Sequence, residues 1–313
     1  MKRVFLLALI LVMFASACSG GGSPVSQAQP AQEQAAATQA EPTAIPPTAT
    51  TEPTATPEPS PTPVPPTNTP VPPTATPTEI PPTNTPTPEP TVDLQAAVKS
   101  AKIILFEDMW FERFIKPAMD EAGYEYTDVG DKVGTLKNEL LSDKKWDLLI
   151  AAAEGRGGVE GEFFDYIQQQ LDAGASVILE MWTLDWIAEG RIKPILEKCG
   201  IEFQKNWVNP SSRGVFWSDP NHPIANDPNQ VMLNRFSNYW TGDVGDLVRK
   251  TKGSTATILA SADQANSEEN GLLTLCYDGR LLIQTFSTHD HAKATAAQAW
   301  QNYIWFMLSN RYK

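Results

Sequence analysis

Cysteine and histidine are scarce in this chain, at three residues each in 313. So few thiols cannot make a disulfide framework. Positive charge is also short, with 24 Lys and Arg against 37 Asp and Glu. That balance argues against nucleic acid and against a basic membrane-binding face as partners. Long apolar runs are missing as well. The longest at the start, Val4 to Phe14, falls short of the roughly 20 residues that cross a bilayer. Beyond residue 92 even proline becomes rare, since 21 of the 27 prolines lie between Ser19 and Thr91.

What is present begins with an address. Lys2 and Arg3 precede the apolar run, and Ala15-Ser16-Ala17 stand directly before Cys18. Basic, apolar and small-residue regions in that order make an export signal over 1–17. The cysteine after it resembles the lipobox of bacterial lipoproteins, which implies lipidation at Cys18 and a membrane partner through that anchor. The expected location is the outer face of a bacterial membrane, in the envelope or at the surface; plain secretion is the alternative. Residues 18–92 then read as a tether. Units such as Pro65-Pro66-Thr67-Asn68-Thr69-Pro70 recur there with almost nothing apolar to bury. Such a segment stays unfolded and extended, reaching on the order of 200 Å at about 3.1 Å per residue.

The foldable part is 93–313, which holds all nine tryptophans. Buried-strand patterns at Lys102–Phe106, Tyr124–Val129, Trp146–Ala153 and Ala175–Met181 alternate with helical stripes. The stripe Phe111, Phe114, Ile115, Ala118, Met119, Ala122 is stopped by Gly123. A short helix is expected around Leu136–Leu141, a second full stripe at Phe163, Phe164, Ile167 and Leu171, and another over Leu184–Cys199 that Pro194 divides. Later strands are expected at Arg213–Trp217, Ala256–Ala260, Leu272–Tyr277 and Arg280–Phe286, the last two joined as a hairpin. A closing helix carries Trp300, Tyr303, Ile304, Met307 and Leu308 on one face. The expected class is α/β: a flavodoxin-like three-layer sandwich with a mainly parallel sheet and a late antiparallel hairpin. Asn206–Gly253 reads either as a lid or as packing against one edge. Cys199 and Cys276 read as buried apolar residues, with a bridge between them as the alternative.

Three local sequences carry a family likeness: Glu154 to Gly158 after a central strand, His222-Pro223-Ile224-Ala225 in a loop, and Gly279 to Phe286 running into His289. With the order of elements, they resemble the class I glutamine amidotransferase-like superfamily, nearest its trehalose-utilisation-type branch. In catalytic members a cysteine on a strand-to-helix turn attacks the substrate amide, and a histidine after a late strand activates it. Here the matching strand, Ser176–Met181, runs into Trp182-Thr183-Leu184-Asp185 with no cysteine or serine. A histidine base without a nucleophile cannot carry covalent amide transfer, so glutaminase activity is not expected.

Ligands of open α/β sheets sit beyond the carboxyl ends of the strands. The candidate crevice set there is Glu107, Asp108 and Trp110; Glu154, Arg156, Gly157 and Gly158; Glu180, Trp182 and Asp185; and His289, Asp290 and His291. Carboxylates beside indoles suit a polyol, whose hydroxyls they accept and whose C–H faces they cover. The plainer account is that these are ordinary strand-end residues, with Trp182 and Trp186 in the core. Gly155, Gly157 and Gly158 lack both dinucleotide and P-loop spacing and read as a turn. His222 reads as a loop anchor, with Ile224 entering the core. No cofactor is expected. A divalent metal at His289 and His291 would rest on residues two apart in an extended segment facing one way, with no third ligand fixed by spacing. Three functions stay open: a surface-anchored non-catalytic binder of a glycan or sugar-derived ligand, an extracellular hydrolase using crevice carboxylates with or without a metal, and a scaffold for a protein partner.

Overall fold

The computed structural model describes residues 93–313 except 110, 156–158, 211–213 and 235–241. Cys18, the tether, Trp110, Arg156, Gly157 and Gly158 therefore lie outside the described residues. In chain order the elements are α1 (Leu94–Lys99), β1 (Ile103–Glu107), α2 (Ile115–Ala122), β2 (Tyr126–Gly130), α3 (Val133–Leu140), β3 (Leu148–Ala152), α4 (Glu162–Asp172) and β4 (Ser176–Glu180). They continue as α5 (Leu184–Ile187), α6 (Lys193–Cys199), β5 (Ile201–Val208), β6 (Phe216–Trp217), α7 (Pro223–Asn226) and β7 (Asp243–Lys250). The last are β8 (Thr257–Ser261), β9 (Gly271–Cys276), β10 (Leu281–Gln284) and α8 (Lys293–Tyr312).

Strands β2, β1, β3, β4 and β10 lie side by side in that order, each parallel to its neighbour. This is the flavodoxin-like order, with its topological switch between β1 and β3. Side chains alternate between faces, as the period of a strand requires. Ile103, Leu105, Leu148, Ile150 and Ile178 pack with α1, α2 and α8; Ile104, Phe106, Leu149, Val177 and Leu179 pack with α3, α4 and α6. Two separate apolar layers on one sheet make the three-layer α/β sandwich. Burial on both faces also explains why these strands are continuous apolar runs.

Beyond β10 the sheet turns antiparallel, through β9 and β7 to β5, with β8 and β6 branching from β9. The β9–β10 hairpin turns at Tyr277, Asp278 and Gly279, whose φ values are 53°, 55° and 81°. Within the described part of 206–253, β7 joins the sheet between β9 and β5. Neither β5 nor β7 was expected, because Ile201–Val208 mixes charged and amide residues among its apolar ones and Asp243–Lys250 holds a glycine and four charges.

Two expectations need correction. The helix over Leu184–Cys199 is two short helices separated by residues 188–192, and Pro194 starts the second rather than kinking one. Proline suits a first turn because no amide hydrogen is needed there. Cys199 and Cys276 are disulfide-bonded, with Cα atoms 5.2 Å apart. Helix α6 lies on the same sheet face as the end of β9, which brings together two residues 77 apart in sequence.

Candidate functional site

The carboxyl ends of β1, β3, β4 and β10 converge on one small cavity. Glu107, Asp108, Glu154, Glu180, Thr288 and His289 line it, with Phe114 and Ala152 among the apolar walls. Its volume is about 10 Å³, room for one water molecule. Five of the expected crevice residues therefore meet.

Glu107 is committed to the fold. Its carboxylate accepts the amides of Phe114 (2.7 Å), Ile115 (2.8 Å) and Lys116 (3.2 Å), and the Arg113 guanidinium at 2.8 Å. Helix α2 has no other side-chain cap, so a buried carboxylate at its positive end takes that role. Arg113 extends the pair to Asp128 through two bonds of 2.8 Å.

Asp108 is different. Its Oδ1 accepts the Gly155 amide at 2.7 Å, while Oδ2 is buried without a hydrogen-bond partner. Burial, assisted by the nearby Glu154 charge and opposed by the Gly155 bond, pushes its pKa up to about 6. A Cβ on Gly155 would meet this carboxyl group at 3.1 Å, so the missing side chain lets acid and amide close together. The glycine after β3 thus serves an internal anion.

At the centre Glu154, Glu180 and His289 form one network with Thr288. The Thr288 amide donates to both glutamates, and its hydroxyl donates to Glu180. Gln284 Nε2 donates to Glu180 at 2.6 Å, and Trp300 Nε1 to the Thr288 hydroxyl at 3.1 Å. Burial, with the Glu154 charge beside it, holds Glu180 well above the usual carboxyl range. His289 Nδ1 pairs with Glu154, and Nε2 lies 2.6 Å from the Glu112 carbonyl oxygen. Burial is the largest single influence and works against its proton, but the Glu154 bond and charge together with Glu112 outweigh it and the pKa rises. With an oxygen at each ring nitrogen, the His289 ring is fixed in place, and it lies tilted against Phe114 with ring centroids 4.1 Å apart.

The remaining candidates separate. Trp182 is buried, and its indole N–H donates to the Glu154 carbonyl at 3.0 Å. It stands at the turn after β4. Asp185 is exposed on α5 and accepts from Asn206 at 2.9 Å. Trp186, expected in the core, is 67% exposed. Asp290 is fully buried. His289 and His291 do not face one way. Thr288–Asp290 is a 3₁₀ turn instead of an extended segment, so His289 points at Glu154 while His291 lies against Phe286 and the Leu233 carbonyl, in a second small cavity. Among the described residues no three His, Cys, Asp or Glu side chains are placed to hold a metal ion. His222 does act as a loop anchor: it accepts the Ile224 amide at 3.2 Å, and Ile224 is fully buried.

Sequence reasoning missed Thr288, Gln284 and Asp246. Thr288 adjoined a flagged histidine, yet nothing in its own pattern marked an amide shared by two acids. Asp246 on β7 is fully buried; its Oδ2 accepts the Asp185 amide at 3.0 Å and Oδ1 has no partner. Burial, with Asp185 and Asp243 nearby, pushes its pKa up to about 7.

No protein-family model matches the chain, and no curated protein matches it. Solved structures do. A GMP synthase subunit of Thermoplasma acidophilum is similar at 13% identity over 67% of this chain and 96% of its own, with a TM-score of 0.42. A glutamine amidotransferase of Thermotoga maritima is 13% identical over 60% of this chain and 76% of its own, with a TM-score of 0.38. The glutaminase domain of Trypanosoma brucei CTPS with bound acivicin is 9% identical over 66% and 94%, with a TM-score of 0.41. The fold assignment rests on the strand order described above.

Proposed function

We propose that this chain is an exported, lipid-anchored binding module that holds a glutamine amidotransferase-like domain, without its chemistry, on an extended tether. Cys18 is the anchor, and the ligand is a glycan or sugar-derived molecule. The observation that carries the non-catalytic part is the turn after β4, where Trp182 is buried with its indole hydrogen-bonded to the Glu154 carbonyl. Covalent amide transfer needs a nucleophile there with a free histidine beside it, and the one hydroxyl at this turn, Thr183, is buried and donates to the Met181 sulfur at 3.5 Å. Cys199 and Cys276 are joined to each other, and both ring nitrogens of His289 have acceptors.

Hydrolysis by paired carboxyl groups is the second reading, favoured by Asp108, whose Oδ2 is without a partner and whose pKa is about 6. Two features count against it. A glycoside hydrolase places its carboxyl groups about 5 Å or 6.5–9.5 Å apart across the bond to be cut, whereas Glu154 and Glu180 both accept from the one Thr288 amide. A cavity of about 10 Å³ also admits no sugar ring.

The test is a pair of measurements on the purified chain. Glycosides and glutamine are expected to show no turnover. A binding glycan at 100 times its Kd is expected to stabilise the fold by about 2.7 kcal/mol. Turnover that disappears in Glu154→Gln or Asp108→Asn would replace the binding reading with the hydrolytic one.

A further inference from the structure

A broad concavity lies at the opposite end of the sheet from the acid cluster. It occupies about 510 Å³ where the loops enter β1, β2 and β3, within the range of ligand-binding clefts. Lys102, Lys144 and Lys145 line it, beside Tyr126, Trp146 and Glu125. Lys144 is paired with Glu139 at 2.6 Å and lies over the Trp146 ring. Lys102 and Lys145 are exposed and make no ion pair among the described residues. Two exposed ammonium groups in one cleft matter in a domain whose charges sum to −9, because an anion repelled elsewhere is drawn here. The half-buried Tyr126 ring offers an apolar wall, with its hydroxyl turned to Asp120 at 2.5 Å, and the exposed Glu125 carboxylate can accept hydroxyl hydrogens.

We infer that this cleft is the ligand site, and that the ligand is an anionic saccharide whose carboxylate or phosphate pairs with Lys102 and Lys145. A ring face against Tyr126 and hydroxyls on Glu125 would complete recognition. This rests on the binding-module reading and specifies its ligand and its place.

The test is titration calorimetry of the full chain with a galacturonate tetramer, glucose 6-phosphate and a neutral galactose tetramer. At least one anionic sugar is expected to bind, the neutral one far more weakly, with affinity falling as salt rises. The two anionic probes tell carboxylate from phosphate. Lys102→Glu with Lys145→Glu is expected to weaken binding by roughly tenfold or more, while Lys145→Arg keeps it and the melting temperature stays unchanged. Should the double variant misfold, the salt dependence and Lys145→Gln serve instead. Anionic binding indifferent to the lysines and to salt would overturn the cleft and leave the binding module intact. Failure of both anionic sugars would also overturn it, whereas the module reading is lost by catalytic turnover or by a melting temperature that no glycan, neutral or charged, raises.

Discussion

Among single residues, Asp246 makes the sharpest demand on the fold. It is fully buried, one oxygen has no partner, and its pKa is near 7 against an ordinary 3.8. A carboxyl group whose pKa rises on folding contributes stability that is complete below the unfolded value and lost as pH climbs through the folded one. Its cost is therefore small at pH 4 and full above pH 7. Asp246→Asn keeps an oxygen for the Asp185 amide and removes that cost. The variant is expected to melt several degrees above the parent at pH 7.5, on the order of 2–4 kcal/mol, and within a degree or two of it at pH 4. Equal melting curves at pH 7.5 would show that Asp246 ionises there without penalty. Sequence could not have found this residue. Asp246 lies in a stretch whose glycine and charges hid its strand, and its burial follows only from β7 entering the sheet.

At the scale of elements, legibility followed burial. The strands covered on both faces are runs of Ile, Leu, Val and Ala, and each was visible within two residues of its ends. The antiparallel half was partly legible, because Leu272–Tyr277 and Arg280–Phe286 are apolar while β5 and β7 are mixed. Five strand-end residues could be placed in one cavity from the parallel order alone, since that order puts the carboxyl ends side by side. The geometry of Thr288–Asp290 could not, because a single 3₁₀ turn redirects one histidine relative to the next. Nor could the disulfide, which depends on α6 lying over the end of β9. That bridge closes a loop of 77 residues, for which chain entropy gives about 4 kcal/mol. Cys199→Ala with Cys276→Ala is expected to lower stability by that order in chemical denaturation, and dithiothreitol to act likewise on the parent but not on the variant. A parent indifferent to reductant would mean that the bridge constrains little in the unfolded chain.

For the whole molecule, the acid cluster sets how stability varies with pH. Glu180 and His289 both hold protons more tightly when folded: burial raises Glu180, and the Glu154 bond raises His289 against burial. The unfolded chain releases both by pH 7, their ordinary values being 4.5 and 6.5. Folding then takes up protons at neutral pH, and each one retained tilts stability downward by about 1.4 kcal/mol per pH unit. His222 and His291 shift the other way, both lowered chiefly by burial. Above pH 7 they are neutral in either state and add no slope, although at pH 5 they cost stability. Asp108, near 6, has already ionised by then. The expected result is a urea midpoint that falls as pH rises past 6.5, where the unfolded chain has given up both protons. Glu180→Gln is expected to flatten the fall, because the amide keeps an oxygen for the Thr288 and Gln284 donors and carries no proton to lose. A midpoint that stays level or rises there would mean that Glu180 has given up its proton in the folded state and that His289 holds its own no more tightly than in the unfolded chain. The strand ends would then hold a charged site open to chemistry, and the case for a purely structural network, with ligand bound at the far end of the sheet, would fail with it.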